Sequence, residues 1–210
     1  MKSSVKVLGT SIGISISIIL GFILYGEFTR PVGFVSNEGV WEIGNGLSNG
    51  SMLTYKIEMQ NKSMIADLRF KRIDNNWLSS IQVNNVTHDI TFTNNLIPTD
   101  VPEDFNEWND LRSSLFWMID YVYEPKSLVG NSIWSYITYG IKTYELKVVA
   151  KESISIDAGE FEAYKVAYYL GYQGGGEFWI VKNMPLPVKA QVFDTDNNLI
   201  FRYELLSYNL

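Results

Sequence analysis

Residues 53–71 read LTYKIEMQNKSMIADLRFK, two stretches in which apolar and polar side chains alternate. Apolar residues occupy positions 53, 55, 57 and 59 of the first stretch and positions 64, 66, 68 and 70 of the second. An alternation with a period of two predicts strands that have one buried face and one solvated face. The short connection between the two stretches favours an antiparallel pair.

The same pattern continues along the chain. Turn-forming residues separate the following stretches at Asp74–Asn76, Asn84–Asn85 and Asn94–Asn95, and all of them tolerate the left-handed backbone that tight hairpins need. Alternating stretches recur between Tyr144 and Leu205. We therefore predict about nine or ten antiparallel strands in two runs.

A different period appears between the two runs. Apolar residues recur there at spacings of three and four: Phe105, Trp108, Leu111, Leu115, Ile119 and Val122. Asp100 followed by Glu103 resembles a capping box, and Pro125 stops the pattern. The spacing predicts one long amphipathic helix over 103–123, packed across a curved sheet. The predicted class is α+β, mainly antiparallel β, with a half-barrel sheet.

The N-terminal region is unlike the rest. Val7–Tyr25 is an apolar run without charge, and nineteen helical residues span roughly 28 Å, close to the hydrocarbon thickness of a bilayer. Lys2 and Lys6 precede the run, whereas Glu27 and Arg30 cancel after it, so the N-terminus is expected in the cytoplasm. We expect a single-pass protein of the cell membrane with its main domain outside.

The run exceeds the apolar core of a cleaved signal peptide, and no pair of small residues follows it at cleavage spacing. We therefore expect an uncleaved signal-anchor. A cleaved signal and a buried core helix are the alternatives. The predicted domains are a transmembrane signal-anchor over 1–26, a juxtamembrane linker over 27–38 and an extracytoplasmic half-barrel domain over 39–210.

Composition excludes several classes of function. The chain has no cysteine, which excludes disulfides, zinc thiolates, iron–sulfur clusters and a thiol nucleophile. A net charge of −6 without a basic stripe argues against a nucleic-acid partner. His88 is the only histidine, and its parity with Ile90 and Phe92 indicates a buried or rim residue in a hydrogen bond, not a catalytic base. We expect no metal, no cofactor and no catalysis.

Three motifs look functional but have structural explanations. Gly9–Gly13 matches the G-x-S-x-G nucleophile elbow, but it lies inside the apolar run. Gly174–Gly176 precedes a strand, not a helix, and is interpreted as a hairpin turn in place of a phosphate loop. Asp194, Asp196 and Asn198 begin like a calcium loop, but Leu199 occupies the glycine position, so a turn between strands is expected.

The C-terminal region resembles a known family. Ile154–Val166 reads ISIDAGEFEAYKV and is followed by Phe178-Trp179-Ile180 and by Leu186-Pro187-Val188-Lys189. This pattern over about fifty residues is similar to that of envelope domains related to the lipoprotein-localisation-factor superfamily. The resemblance implies a half-barrel of antiparallel strands wrapped partly around a helix, with lipid chains or other apolar groups held in the concave face. It implies no particular site residue.

Two functional hypotheses follow. The first is a structural or interaction domain with a packed interior, whose outer face contacts another envelope protein. The second is a binding module that holds a lipid or other apolar ligand between helix and sheet, suggested by the large number of aromatic side chains. The candidate lining residues of that ligand site are Tyr55, Phe70, Trp77, Phe92, Trp108, Leu115, Ile119 and Phe178.

Overall fold

The computed structural model describes residues 38–122, 124–139, 142–170 and 173–210. The predicted anchor over 1–26 lies outside these ranges, as does all of the predicted linker except Glu38. In the described ranges, the helices are too short to cross a membrane.

Thirteen strands are found in the described ranges. They are β1 (Val40–Trp41), β2 (Met52–Met59), β3 (Lys62–Ile73), β4 (Asn76–Val83), β5 (Val86–Phe92), β6 (Pro98–Asp100), β7 (Lys126–Ser127), β8 (Ile133–Tyr139), β9 (Lys142–Ile156), β10 (Gly159–Leu170), β11 (Gln173–Ile180), β12 (Lys189–Phe193) and β13 (Leu199–Asn209). The prediction of nine or ten strands was too low, since the two- and three-residue strands are too short to show alternation.

Eleven strands form one antiparallel sheet in the order β6-β5-β4-β3-β2-β13-β12-β11-β10-β9-β8, and β1 pairs with β7 separately. Within the eleven-stranded sheet, each strand except β2 and β13 pairs only with its neighbours along the chain, so this sheet consists of two meanders. The β2–β13 pairing, from Met59↔Phe201 to Met52↔Asn209, joins them. The predicted antiparallel arrangement in two runs is confirmed.

The long helix predicted over 103–123 is wrong. The structure has a six-residue helix α1 (Trp108–Ser113) and a four-residue 3-10 helix (Trp117–Asp120). Asp100 belongs to strand β6, where it pairs with Thr91, so it cannot cap a helix. Helix α1 ends because the Ser114 hydroxyl donates to the Asp110 carbonyl oxygen and the Ser114 backbone leaves helical geometry.

The sheet curls around this segment. Gly44 and Gly46 are two residues apart, yet a Cβ at Gly44 would collide with the Asn94 carbonyl after β5, and one at Gly46 with the Asn183 carbonyl after β11. Strands β5 and β11 are six positions apart, which is roughly 29 Å on a flat sheet. Two glycines so close in the chain can reach both places only if the sheet curves.

The concave side of the sheet is filled by side chains. Leu111, Leu115, Phe116, Met118 and Ile119 of the 102–122 segment are buried in one apolar cluster with the inward residues of the strands. The loop around Gly44 and Gly46 closes one end, fixed by a hydrogen bond from the Gly44 amide to the Pro185 carbonyl at 2.9 Å. The interior is therefore a packed core.

Candidate functional site

The structure places all eight candidate lining residues in the core. Tyr55, Phe70, Trp77, Phe92, Leu115, Ile119 and Phe178 are buried, and Trp108 is half-buried against the same cluster. The aromatic rings among them contact one another or neighbouring aromatic side chains, and Leu115 and Ile119 pack in the same cluster. As a lining for an apolar ligand, these residues stay a prediction.

Two aromatic clusters hold the 102–122 segment against the sheet. In the first, Phe92 of strand β5 contacts Trp108 and Phe116, with ring centroids 6.1 and 5.4 Å away. His88 lies at the rim of this cluster, where it stacks on Phe105 at 4.3 Å, and its Nδ1 is 3.7 Å from the Asp104 carboxylate. The rim position agrees with the parity of His88.

The second cluster is centred on Trp117. Its ring stacks on Phe178 at 5.3 Å, meets Tyr168 edge-on at 4.9 Å and lies 6.3 Å from Phe201. Trp117 was not among the candidates from the sequence, although it packs in the same interior. A signal was available, because adjacent aromatic residues at 116 and 117 cannot share one helix face, whereas a break in the helix directs them to opposite walls.

Arg112 connects the two clusters. Its guanidinium donates to the Phe116 carbonyl at 3.1 Å and forms an ion pair with Asp120. These contacts join helix α1 to the 3-10 helix across the turn at Ser114. The segment is thus held by its own polar contacts as well as by its burial.

Two core hydroxyls have no hydrogen-bond partner among the described residues: Ser79 Oγ and Tyr203 Oη. The neighbouring Tyr55 donates to the Pro187 carbonyl at 3.2 Å. Burial raises the pKa of both tyrosines well above the usual value. These phenols therefore stay neutral at ordinary pH, and neither is hydrogen-bonded to a carboxylate or imidazole of the described ranges.

A second cluster of titratable groups links the first described residue to the sheet. Lys151 Nζ lies 2.6 and 2.7 Å from the two carboxylate oxygens of Glu38, and the Tyr164 hydroxyl donates to the same carboxylate. Burial, followed by the Glu38 hydrogen bond, raises the pKa of Tyr164. The cluster fixes the start of the described chain to strands β9 and β10.

The outer face of the sheet carries a row of ion pairs, which we call the charged belt. It runs across six neighbouring strands, from β9 to β2. Its contacts are Lys165 with Glu152 at 3.4 Å and with Glu177 at 3.3 Å, Lys189 with Glu204 at 3.2 Å, Lys56 with Glu58 at 2.7 Å, and Arg202 with Glu58. Hydrogen bonds from Lys56 and Arg202 hold the pKa of the Glu58 carboxyl below its usual range.

Trp179 is an aromatic residue that contacts three charged side chains of the belt. Its indole nitrogen donates to Glu152 at 2.7 Å, and the ammonium groups of Lys165 and Lys189 lie 5.2 and 5.6 Å from its ring. The indole is covered by the lysine side chains and is almost fully buried. This contact explains an outward aromatic residue in the FWI motif.

Two surface cavities of the described chain share Lys56 of the belt as a wall. One of about 320 Å³ is lined by polar and charged residues that include Asp157, Lys189, Gln191 and Arg202. The other, of about 510 Å³, lies towards the β4–β5 turn beside Ile65 and Gln82. Neither is lined by any of the eight candidate residues.

Two of the sequence motifs have structural roles in the described chain. The Asp194 carboxylate accepts hydrogen bonds from the backbone amides of Asp196 and Asn198 at 2.9 and 2.8 Å, so it closes the β12–β13 turn, as expected. The hairpin-turn interpretation of Gly174–Gly176 is wrong, because these residues belong to strand β11. Within the described ranges, His, Asp and Glu side chains form no group of three that could hold a metal ion.

Comparisons with known proteins place the chain far from characterised sequences. No protein-family model matches it, and no curated protein matches it either. Among solved structures it is similar to MucB, with 11% identity and a TM-score of 0.47 over 79% of this chain. It is also similar to the Pseudomonas aeruginosa MucA/MucB complex structure, with 11% identity and a TM-score of 0.45 over 77% of this chain.

A third similar structure is an exported protein with a YmcC-like fold from Bacteroides fragilis. It has 10% identity and a TM-score of 0.45, over 82% of this chain and all of that protein. By contrast, this chain spans only 54% and 52% of the lengths of the matched chains in the MucB and MucA/MucB structures. All three similarities are distant, with identities of 10–11%.

Proposed function

We propose that this protein is a membrane-anchored interaction domain of the cell envelope, which contacts another envelope protein through the outer face of its sheet and performs no catalysis. The anchor is the apolar run Val7–Tyr25, with its positive flank at Lys2 and Lys6. The domain after it faces the outside of the cell.

The observation that carries the proposal is the contrast between the two faces of the sheet. On the concave face, the rings that could line a ligand site contact one another, as in the Trp117–Phe178 stack. On the convex face, charged side chains line two cavities that share Lys56 of the belt as a wall. A partner can reach the convex face without displacing any part of the core.

The charged belt suits recognition better than stability. An exposed ion pair contributes about 0–1 kcal/mol to folding, because solvent screens the charges and side-chain entropy opposes the pairing. Opposite charges that alternate over six strands define a pattern that a complementary surface can match in one register. The belt thus provides specificity, whereas the core provides the free energy of folding.

Site-specific crosslinking tests the proposal. Because the chain has no native cysteine, an introduced cysteine is the only thiol that the reagent can label in this protein. A Lys56→Cys variant of the full chain carries a single thiol at the wall shared by both cavities. An Asn75→Cys variant is the matched control, because Asn75 is exposed in the β3–β4 turn at the opposite end of the strands. A heterobifunctional photocrosslinker is attached to the thiol in intact cells.

We expect an adduct with a second protein from position 56 and none from position 75. Equal labelling from both positions, or no adduct from position 56, would contradict an interaction through the outer face. A lipid that co-purifies with the native protein and is released by disrupting the Trp117 cluster would instead favour the interior binding module. Protease accessibility of the domain in intact cells tests the proposed topology separately.

A further inference from the structure

The two edges of the eleven-stranded sheet are built differently. Strand β6 at one edge has three residues, includes Pro98 and ends in Asp100, three features that block further pairing. Strand β8 at the other edge has seven residues, IWSYITY, none of them charged or proline. Of the two edges of this sheet, β8 is therefore the one that can accept another strand.

The second half of β8 is open on both faces. Tyr136 is 62% exposed and Ile137 is 44% exposed, and adjacent strand residues point to opposite faces. In the first half, Ile133 is 56% exposed, whereas Trp134 is only 4% exposed, stacks on Trp41 and donates to the Ser127 carbonyl at 2.8 Å. Two large apolar side chains thus coincide at 135–138 with a row of backbone groups that no other described strand pairs.

We propose that β8 pairs antiparallel with β8 of a second copy of this chain, about a two-fold axis at Tyr136. This register places Tyr136 opposite its own symmetry mate and Ser135 opposite Ile137 of the partner. Aromatic and β-branched cross-strand pairs stabilise antiparallel sheets, and here no like charges face each other. The pairing completes the hydrogen bonds of the edge and covers the exposed side chains of Tyr136 and Ile137.

The properties of the two sheet edges also favour β8 of a second copy as the strand that pairs with β8. A head-to-tail pairing of β8 with β6 of another copy is blocked by the short, proline-containing β6. The isologous pairing uses the same strand twice and closes after two copies. The charged residues Glu145 and Lys147 lie on β9, one strand behind the edge. In the dimer the two β9 strands would be three strand spacings apart across the axis, roughly 14 Å. This distance exceeds the Debye length of about 8 Å at physiological ionic strength, so the charges on the two β9 strands are largely screened from each other. The net charge of −6 therefore opposes the pairing only weakly.

Dimerisation through β8 would also affect binding of the envelope partner. This consequence rests on the proposed function, whereas the β8 pairing itself does not. A two-fold axis between antiparallel strands is perpendicular to the sheet, so the convex faces of both copies point in the same direction. Two charged belts would then be presented side by side. A partner with two copies of the complementary surface would bind with increased avidity.

The experiment uses the full chain in its native membrane. A Tyr136→Cys variant has one thiol, and it lies on the proposed axis, where directly opposed Cβ atoms are about 4.5–5.5 Å apart, close enough for a disulfide after a small adjustment. An Ile65→Cys variant is the matched control, because Ile65 is 52% exposed but lies on strand β3 inside the sheet. Mild oxidation is followed by non-reducing electrophoresis and mass spectrometry.

We expect a disulfide-linked homodimer from position 136 and at least tenfold less from position 65. An Ile137→Lys variant, which places two like charges diagonally across the axis, should weaken self-association of the purified full chain at least tenfold by analytical ultracentrifugation. An Ile65→Lys variant should leave it unchanged. Circular dichroism should report the same fold for all four variants.

A monomer that gives no β8 crosslink overturns the inference, and so does a dimer unaffected by Ile137→Lys. A crosslink from position 136 to a different protein overturns the second copy as occupant. None of these results removes the adduct expected from Lys56→Cys, so failure of the pairing is distinguishable from failure of the proposed function.

Discussion

Tyr55 and Tyr203 meet edge to face inside the curled sheet, with ring centroids 5.7 Å apart and ring planes at 89°, but only the Tyr55 hydroxyl has a hydrogen-bond partner among the described residues. The two side chains share one environment and differ in one polar contact. They form a natural pair for measuring the energetic effect of a buried hydroxyl.

Replacing each tyrosine by phenylalanine should have opposite effects on stability. Tyr203→Phe removes an unpaired buried hydroxyl and should raise the free energy of unfolding by about 1 kcal/mol or leave it unchanged. Tyr55→Phe leaves the Pro187 carbonyl without its donor and should lower it by about 1 kcal/mol. Urea unfolding of the full-length variants checks both values, and equal losses would show that the Tyr203 hydroxyl is satisfied.

At alkaline pH, the difference in the free energy of unfolding between wild type and Tyr203→Phe should increase. Burial raises the pKa of Tyr203 in the folded state, whereas the unfolded tyrosine titrates near pH 10. The stability associated with its neutral form is complete below about pH 10 and is lost as the pH rises, by roughly 1.4 kcal/mol per pH unit.

Lysine titration affects both proteins equally, so the measured quantity is the difference between their free energies of unfolding at pH 8 and pH 11. We expect the variant's advantage to grow over this interval. A constant difference would mean that the Tyr203 phenol ionises in the folded protein.

The close approach of the 42–50 loop predicts unequal effects of alanine at two glycines. Gly46 and Gly50 both have positive φ, at +85° and +94°, but only a Cβ at Gly46 would collide with the Asn183 carbonyl. Gly50→Ala should cost about 1–2 kcal/mol for backbone strain alone. Gly46→Ala should cost about 2 kcal/mol more, because the loop must move away from the end of the sheet. Thermal unfolding monitored by circular dichroism provides the comparison, and equal losses would argue against the closed end.

Trp117 should be among the most sensitive core positions. Trp117→Ala removes the stack on Phe178 and the edge contact with Tyr168, and it should cost about 3 kcal/mol. Trp117→Phe keeps an aromatic ring there and should cost less than half as much. A loss below 1 kcal/mol for the alanine variant would show that the 102–122 segment is not packed inside the sheet.

The strands could be predicted from the sequence because successive residues of a strand alternate between its buried face and its solvated face. Met64 and Phe70 are buried, while Arg69 and Lys71 between and beyond them are exposed, as period two requires. The pairing of neighbours follows from short turns such as Asn84–Asn85, where both residues adopt positive φ.

The helix could not be predicted because spacings of three and four are shared by a helix and by a series of turns packed on a surface. Phe105, Leu115 and Ile119 are all buried, as the pattern required, but the chain between them bends at Ser114. What decides the bend is tertiary: Phe116 packs on Phe92 while Trp117 packs on Phe178. The continuation of the charged belt from one meander to the other was equally hidden, since its pair, Glu58 and Arg202, comes from strands distant in sequence.

The pairing of β2 with β13, which joins the two meanders, has a consequence for biosynthesis. Strand β2 is paired on one side by its hairpin partner β3, but its other neighbour is β13, where Met59 lies opposite Phe201. Until β13 has been translated, the first meander carries an unpaired and largely apolar strand border, the kind of border through which nascent chains aggregate. A chain truncated before Leu199 should therefore yield an aggregation-prone product and not a slightly smaller domain.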